Sequence, residues 1–600
     1  GKGALQADTL GSRTTAVGYQ ALATQNFTTA TDTYNTAVGF GAGGAITVGQ
    51  LNTLIGASAG VALIDGGRNT AVGYAALSTE DENGQNTAIG YRALTTLNAG
   101  AEGYNVAVGN DAGLSVTTGV RNTIMGAFAG DALTDADYNV ALGYAALTGD
   151  TQGSQSTAVG YEALLTQNFS TATNTFNTAV GYRAGTAVTT GVNNTLIGAT
   201  AGDAFTDADA NTAIGAYALT ADTMGSQSTA VGHGSLAHQN FTTATAANNT
   251  AIGYIAGNLI TTGINNTFVG SGAGDTTTTA NQNVAVGKDA FTSNVAGAKN
   301  VAIGTAAMAN FNVTATDSLN TCVGDHAGSA MTTGVFNVCV GGNAGDALTD
   351  ADANIAIGRH ALGADTLGSG SIAIGDSSLF TQNYATGTAA FNVALGHSAG
   401  YSISTGVYNI SVGARANATS TPTTTGNYNI IIGVDGRPSA GSGGHQICIG
   451  NEVTGTADNT FNFGKASNIV SNTFTSNASF SRSSDVNKKT NIEDDTLGLD
   501  FINDLRTVTF NWRPNSEFPE HYKDYHPTKN DMETDIKLHG MVAQEVKAAL
   551  DKAGVDTFGG WSEEEDGSQR ISQEMFIHPL IRAVQELSNE VKQLKEKLNG

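Results

Sequence analysis

The sequence is poor in cysteine, tryptophan, proline and basic residues. Its 600 residues include only 3 Cys, 2 Trp and 6 Pro, and 27 Lys+Arg stand against 52 Asp+Glu. Three cysteines in a chain of this length exclude a disulfide framework. The formal net charge of −25 leaves no basic surface of the kind that phosphate backbones require, so we predict no nucleic-acid partner.

Long hydrophobic runs are also missing. A membrane-spanning helix needs roughly 18 or more consecutive apolar residues, and no such run occurs, so we predict no membrane insertion. The chain begins GKGALQADTL, with neither Met nor the apolar segment of a signal peptide. From this start we expect either a trimmed terminus or the distal piece of a longer protein. No motif indicates a cofactor, and we predict none.

The scarce residue types are unevenly distributed. Residues 1–483 carry 13 Lys+Arg and 29 Asp+Glu, whereas residues 484–600 carry 14 and 23 in far fewer positions. Both tryptophans, Trp512 and Trp561, lie in the second part, together with four of the six Pro. The first part is rich in Gly, Ala, Thr and Asn. This shift predicts a repetitive acidic body followed by a charged globular tail.

A 17-residue repeat dominates the body. Segments of the form NTAVG end in a glycine, and 25 such glycines follow one another from Gly18 to Gly450, mostly 17 residues apart with longer steps of 19 to 21. Self-similarity at a fixed period indicates stacked units that bury their apolar faces against one another. The repeat predicts a mainly β fold, a long parallel β-roll or β-solenoid of about 25 coils over residues 1–455. At about 4.8 Å per coil, such a stack is on the order of 115 Å long.

Within each coil, the alternation of residue types predicts which way side chains point. The NTAVG segment places β-branched residues on one face of a strand and the small Ala on the other. We predict the β-branched face inside the roll and the Ala face (Ala37, Ala71, Ala88) outside, where it packs against another chain. Text such as YAAL or FAGDAL is expected to form an opposing strand. The terminal Gly permits a bend with positive φ, and the leading Asn side chains are expected to stack as a ladder.

These coils resemble the β-roll heads of trimeric autotransporter adhesins, which carry related Asn-Ser/Thr-Val-Ala-Ile-Gly text. The resemblance spans roughly residues 10–455 and implies a trimeric β-roll without indicating a particular ligand. Cys322 and Cys339 are 17 residues apart and share one repeat position. That spacing predicts two buried thiols stacked on neighbouring coils.

Three turns of the body carry alternate oxygen ligands of the kind that Ca²⁺ uses. They read Asp-x-Asp-x-Asn, and their acidic residues are Asp135 and Asp137, Asp207 and Asp209, and Asp350 and Asp352. The bidentate Glu and the Gly of a full calcium loop are missing, so solvated acidic turns are the favoured interpretation and we predict no metal. A glycan-cleaving site needs two carboxylates facing each other in a cleft, and the repeat offers no such pair.

The tail follows a neck rich in Thr, Asn and Ser, residues 456–483, which we expect to form strands intertwined among chains. The tail opens with SDVNKKTNI, and the blocks LGLDFINDLRTVTFNWRP (497–514) and KLHGMVAQEVKAALDKAG (537–554) predict a helix then a strand, and a strand then a helix. Residues 577–599 predict a trimeric coiled coil, because apolar residues alternate there by 4 and 3. That seam consists of Leu580, Val584, Leu587, Val591, Leu594 and Leu598.

This combination resembles the C-terminal intramolecular chaperone domains of phage tail spikes and fibres, a family of auto-cleaving Ser–Lys peptidases. The resemblance covers residues 484–600: the Ser-Asp-x-x-x-Lys-x-Asn-Ile start, the FINDLRTVTFNW and GMVAQEV blocks, and the closing coil. It implies that Ser484 is the nucleophile, that Lys489 is its base and that the cleaved bond joins Ser483 to Ser484. A serine hydroxyl needs such a neighbouring base to attack at neutral pH.

Two further positions support the opening turn, and a third departs from the family pattern. Asp485 and Asn491 are expected to hold the turn rather than to act as bases. The family usually has Arg where this chain has Asn487, a change that leaves the Ser–Lys pair intact but bears on the efficiency of cleavage.

The resemblance implies a homotrimeric phage tail fibre or spike, located in the virion. Its expected partners are other tail proteins and a host-cell surface receptor, either a glycan or an outer-membrane component. Near-identical coils barely distinguish one register from the next, so a terminal trimeric domain that is later released would align the chains. Two alternatives stay open. A bacterial trimeric surface adhesin should end in a membrane-anchoring segment, whereas this chain ends KEKLNG, and a glycan-degrading tailspike would need a site hidden between chains.

Overall fold

A computed structural model describes residues 1–314, 317–418, 425–466, 468–475, 481–482 and 484–600. The chain divides into two compact units, residues 1–483 and residues 484–600. The first unit is a parallel β-solenoid, and the second is a small α+β unit. The predicted fold class is therefore confirmed.

Each coil of the solenoid contributes one three-residue strand, here called a coil strand, to a single parallel ladder. Neighbouring coil strands pair in register, so that Thr53 lies opposite Thr70 and Ala71 lies opposite Ala88. The described residues contain 25 coil strands, in agreement with the predicted number of coils. They are Thr15–Val17, Thr36–Val38, Thr53–Ile55, Thr70–Val72, Thr87–Ile89, Val106–Val108, Thr123–Met125, Val140–Leu142, Thr157–Val159, Thr178–Val180, Thr195–Ile197, Thr212–Ile214, Thr229–Val231, Thr250–Ile252, Thr267–Val269, Val284–Val286, Val301–Ile303, Thr321–Val323, Val338–Val340, Ile355–Ile357, Ile372–Ile374, Val393–Leu395, Ile410–Val412, Ile430–Ile432 and Ile447–Ile449.

Some of the longer coils carry a second, two-residue parallel pair beside the ladder. These pairs are Gly11–Ser12 with Thr31–Asp32, Gly153–Ser154 with Thr173–Asn174, Gly225–Ser226 with Thr245–Ala246, and Gly368–Ser369 with Thr388–Ala389. After the last coil strand, Thr460–Lys465 and Asn468–Thr473 form an antiparallel hairpin, to which Ser481–Arg482 adds a short third strand. The strands of the neck thus pair within one chain, and their intertwining with other chains stays a prediction.

The middle residue of each coil strand faces the interior of the solenoid. Ala37, Ala71 and Ala88 are fully buried, whereas the residues on either side of them point outward. The prediction of a β-branched interior and an Ala exterior is therefore wrong. The physical reason is space, because the turns opposite the strands send long side chains such as Leu77 into the same core and leave room for only a small strand residue.

Large and small residues are matched between strand and turn. Where the coil strand has Leu54 in its middle, the following turn has Gly60, and a Cβ on that glycine would lie 2.8 Å from the Leu54 side chain. Phe268 and Gly274 repeat this arrangement, also with 2.8 Å. The large strand side chain thus occupies the space that a side chain on the turn would otherwise need.

The second half of each coil forms turns and not the opposing strand that was predicted. Residues there adopt left-handed backbone conformations, such as Ala75 with φ 53° and Leu77 with φ 50°. Their N–H groups donate to neighbouring coils, from Ala75 to the Ala57 carbonyl (3.0 Å) and from Leu77 to the Ala93 carbonyl (2.9 Å). The turns therefore form hydrogen bonds to neighbouring coils without adopting an extended backbone.

The bend glycines and the asparagine ladder are confirmed. Gly143 has φ 139°, and a Cβ placed there would lie 2.3 Å from the carbonyl oxygen of Gly160 in the next coil. The backbone N–H of Asn139 donates to Asn122 Oδ1 of the preceding coil (2.9 Å), and its Nδ2 donates to the Gly153 carbonyl (2.9 Å). The ladder satisfies backbone groups that would otherwise be buried without partners.

The predicted pair of stacked thiols is also confirmed. Cys322 and Cys339 are buried, unlinked and opposite each other on neighbouring coil strands. The pKa of Cys322 is raised well above its usual value, mainly by the hydrogen bond with the Cys339 thiol and next by burial. These cysteines therefore behave as small apolar side chains of the core.

The second unit contains three helices and two antiparallel strand pairs. The helices are α1 (Leu499–Asp504), α2 (Ala543–Ala553) and α3 (Ile577–Asn599), the strand pairs are Val508–Phe510 with Leu538–Gly540 and Trp561–Glu563 with Gln569–Ile571, and single 3-10 turns cover Val486–Lys488, Asn515–Glu517 and Gln573–Phe576. The order of helices and strands predicted for 497–514 and 537–554 is confirmed, and a helix covers 577–599 as predicted.

The helices of the second unit share one small core. Phe501 of α1, Leu550 of α2 and Phe576 before α3 are buried together. The Leu499 N–H donates to Glu586 Oε2 (2.7 Å), which joins the start of α1 to α3. Within the described ranges, none of the helices combines the length and the apolar character that crossing a membrane would need.

Candidate active site

The first residues of the second unit bring the two predicted catalytic side chains together. Lys489 Nζ lies 2.6 Å from Ser484 Oγ, a hydrogen-bonding distance. The backbone between them forms a 3-10 turn, in which the Lys488 N–H donates to the Asp485 carbonyl (3.0 Å) and the Lys489 N–H donates to the Val486 carbonyl (3.2 Å). The turn folds the spacing of five residues so that the two side chains meet.

Asp485 lies at the N-cap of this turn. One of its carboxylate oxygens accepts hydrogen bonds from the Asn487 backbone N–H (2.8 Å) and from Asn487 Nδ2 (2.9 Å). These bonds lower the pKa of the Asp485 carboxyl. Asn487, at the position where the family pattern has Arg, thus forms part of the cap. Asn491 has φ 54°, a left-handed conformation that asparagine tolerates better than most residues.

The Ser484–Lys489 pair is exposed on the single chain. A lysine accepts a proton from a serine hydroxyl only where burial or a nearby positive charge favours the neutral amine. Lys488 supplies an adjacent positive charge, but it is exposed as well. One chain therefore positions the two reacting groups without burying them.

The structure describes only one of the two residues that flank the predicted cleavage point. Ser484 begins the second unit, whereas Ser483 lies outside the described residues. Cleavage of the Ser483–Ser484 bond stays a prediction.

The six aspartates considered as calcium ligands bond to neighbouring coils. Asp137, Asp209 and Asp352 each accept from a backbone N–H at 2.8 Å, and Asp135, Asp207 and Asp350 each accept from a threonine hydroxyl; the donors are Val120, Val192, Val335, Thr118, Thr190 and Thr333. Every donor lies 17 residues earlier, in the preceding coil. In the part of the chain that the structure describes, no three His, Cys, Asp or Glu side chains gather as a metal site would require.

A buried polar network in the longer coils was not predicted. The Asp150 carboxylate accepts from Gln167 Nε2 (2.5 Å) and from the N–H groups of Gly153 (3.0 Å) and Phe169 (3.2 Å). Gln167 Oε1 accepts in turn from Asn177 Nδ2 of the ladder (2.9 Å). Burial raises the pKa of Asp150, although the bond from Gln167 and those from the backbone oppose this rise.

The same pair of residues recurs along the body. Asp8 and Gln25 are joined at 2.6 Å, and Asp222 and Gln239, like Asp365 and Gln382, are joined at 2.5 Å. The sequence signal was an Asp 17 residues before the glutamine of each QNF or QNY segment. These residues form part of the interior of the solenoid. They lie in the first unit, whereas the Ser484–Lys489 pair lies in the second.

Comparison with known proteins identifies the second unit. Residues 484–555 match the family model described as the chaperone of endosialidase. The match begins at Ser484 and includes the turn with Lys489, α1 and α2. No curated protein and no solved structure matches the chain.

Proposed function

We propose that this chain is the subunit of a homotrimeric tail fibre or spike in a phage virion. It joins a chaperone-of-endosialidase domain to a solenoid of 25 coils, a combination that fits a protein of the tail-fibre or spike type. The family of the C-terminal domain implies trimeric assembly. The body attaches the particle to a host-cell surface receptor, a glycan or an outer-membrane component, and connects to other tail proteins.

Exposed apolar residues on α3 support trimerisation through the second unit. Leucines and valines at spacings of 4 and 3 form one row along the helix, and in a single chain they are 42% to 89% exposed; the row consists of Leu580, Val584, Leu587, Val591, Leu594 and Leu598. A row with this period is buried when parallel helices pack together as a coiled coil. We assign residues 484–600 the role of an intramolecular chaperone that aligns three chains.

The 2.6 Å contact between Ser484 and Lys489 is the observation that supports self-cleavage. Ser484 Oγ attacks the carbonyl carbon of Ser483 while its proton passes to Lys489 Nζ. The Ser483–Ser484 C–N bond then breaks, Lys489 returns the proton to the freed amino nitrogen, and an ester joins the Ser483 carbonyl to Ser484 Oγ. Water hydrolyses this ester, which leaves a carboxylate on Ser483 and restores the Ser484 hydroxyl.

Exposure of the pair in one chain makes cleavage depend on assembly. Lys489 must be neutral to accept the serine proton, and removal of water from the amine favours that form. Packing of three second units around the pair supplies this desolvation. Cleavage then follows correct trimerisation and releases residues 484–600 from a finished body.

Denaturing gels of the full chain test this proposal. The purified wild type should give two fragments, 1–483 and 484–600, whereas Ser484→Ala and Lys489→Arg should each give one full-length band. Arginine keeps the positive charge but cannot act as a base at neutral pH. Lys529→Ala, which removes an exposed lysine paired with Asp531, serves as the control and should cleave normally. A single full-length band from trimeric wild type, or cleavage that persists in Ser484→Ala, would refute self-cleavage at this bond.

Attachment is tested separately with the cleaved trimer and purified host polysaccharide. Binding that leaves the polysaccharide at its original length supports an attachment protein, and progressive shortening identifies a glycan-degrading spike instead.

A further inference from the structure

The outward side of the coil strands forms a strip without charge. Each coil strand turns its first and third residues outward. Among the 25 described coil strands, every third residue is Val, Ile, Leu or Met, and every first residue is Thr, Val or Ile. These positions carry no charge, although residues 1–483 include 13 Lys+Arg and 29 Asp+Glu.

Among the third residues, 11 of 25 are exposed in the single chain and the other 14 are half-buried. Exposed examples along the length are Val17 at 55%, Met125 at 44%, Leu395 at 46% and Ile449 at 39%. With about 4.8 Å between coils and an outward face about 10 Å wide, the strip covers on the order of 1,100 Å². An uncharged strip of that size with an apolar row along its length is large enough for an interaction site, since a standard protein interface buries about 800 Å² per partner.

We propose that this strip is the contact surface between copies of this chain, which lie parallel along the whole body with their coils side by side. The proposal rests on the homotrimer proposed above and adds a second, lateral interface to the one formed by α3. Identical acidic bodies repel one another, and the uncharged strip is the surface on which they approach without like charges facing each other. A strip repeated in all 25 coils also fits a partner with the same length and the same repeat, which another copy of this chain provides.

The apolar border of the strip changes sides along the body. In the first 15 coil strands, 13 of the first residues are Thr, and 8 of the residues that follow the bend glycine are Tyr or Phe. In the last 10 coil strands, 9 of the first residues are Val or Ile, whereas the position after the bend glycine has no Tyr, Phe or Trp and has four charged residues. The aromatic border is exposed, as Tyr161 (43%) and Tyr182 (54%) show, and these two rings stack at 5.4 Å.

This change of border indicates how the copies run beside one another. Stacked parallel strands twist progressively, so a straight contact line drifts across the sheet face from one end to the other. The contact lies toward the aromatic border in the first 15 coils and toward the first strand residues in the last 10. The line of contact between the bodies therefore crosses the strip along its length, from the aromatic border to the first strand residues.

Single cysteines introduced into the full-length chain test the strip. The native Cys322, Cys339 and Cys448 are buried and do not interfere. Ile197→Cys and Leu395→Cys, at third positions, should give disulfide-linked dimers of the cleaved body on non-reducing gels after mild oxidation, because a disulfide needs Cα atoms within about 7 Å. Thr118→Cys, exposed but off the strip, should give none.

Two pairs of cysteines test the change of border. In the coil with Thr157–Val159, Tyr161→Cys should crosslink more than Thr157→Cys; in the coil with Ile372–Ile374, Ile372→Cys should crosslink more than Asp376→Cys. An equal yield within each pair would refute this shift of the contact line.

Analytical ultracentrifugation of the same samples separates the two proposals. Trimers in which neither Ile197→Cys nor Leu395→Cys crosslinks would refute the lateral interface and leave assembly through the second unit intact. A monomeric full-length chain would refute both.

Discussion

At the residue scale, the buried acids of the solenoid show what Gln167 and its equivalents do. The corresponding acid is followed 17 residues later by Gln at four places. Glu80 is followed by Leu97 instead, and there the side chain of Asn83 supplies the extra donor, from Nδ2 to Glu80 Oε1 (3.2 Å). Asn294 stands where the others have an acid, and its partner position is Phe311. Asn294 Oδ1 still accepts from the Gly297 N–H (2.9 Å). The neutral Asn294 amide does not need a further hydrogen-bond donor such as a Gln side chain, whereas an ionised buried carboxylate does. Gln and Asp therefore occur together for a physical reason.

Gln167→Leu should destabilise the body more at neutral than at acidic pH. Loss of a hydrogen bond to a charged group costs about 1.5–3 kcal/mol. Burial already raises the pKa of Asp150, so the contribution of this residue to stability is greatest at low pH and is lost as pH rises through its folded-state pKa. Without Gln167 that pKa rises further. We expect the deficit in Tm of the cleaved body to be larger at about pH 7.5 than at about pH 5.

Gln50→Leu is the matched control, because Gln50 is exposed and the substitution is the same. It should leave Tm nearly unchanged at both pH values. Equal deficits for Gln167→Leu at the two pH values would contradict a change in the ionisation of Asp150 between them.

At the scale of one coil, neighbouring glycines have opposite requirements. Gly341 directly follows its coil strand and has φ 133°, and a Cβ there would lie 2.7 Å from the carbonyl carbon and oxygen of Gly358. Gly342, the next residue, has no atom within 4 Å of the corresponding position. Gly341→Ala should therefore lower the stability of the body by at least about 1–3 kcal/mol, the cost of a strained backbone.

Gly342→Ala provides the control for this prediction. It should be neutral or should raise stability by up to about 1 kcal/mol, because alanine reduces the freedom of the unfolded chain. Thermal unfolding of the two cleaved bodies measures the difference. Equal Tm values would contradict a steric role for the bend glycine.

Several properties of a coil could be predicted because they depend on residues close in sequence. The glycine bends, the ladder and the number of coils follow from the 17-residue period, and the pairing of Ser484 with Lys489 was expected from the resemblance of the local sequence to a known family. The interior face could not be predicted in the same way. Alternation defines two faces, and the choice of the Ala face depends on how the opposite turn is filled, by Leu77 in one coil or by Gly60 beside Leu54 in another.

At the scale of the whole molecule, trimerisation through α3 should control cleavage. Leu587→Asp places a charge in the apolar row and should give monomers that remain uncut, because the exposed Ser484–Lys489 pair is then never buried. Gln593→Asp introduces the same charge into the same helix outside the row and should assemble and cleave normally. Sedimentation and denaturing gels report both outcomes. Efficient cleavage in a monomeric Leu587→Asp variant would contradict the coupling.

The hydrogen bonds between coils, such as that from Asn139 to Asn122 Oδ1, connect each coil to the next along the length of the solenoid. Tension applied between the two ends of the solenoid therefore loads these rows of hydrogen bonds one after another. A body without partners would unfold one coil at a time under modest force. Copies packed side by side share that load at every coil, because one body can lengthen only by sliding past the others. The force needed to unfold the assembled bodies would then depend on the contacts between copies more than on the interior of each body.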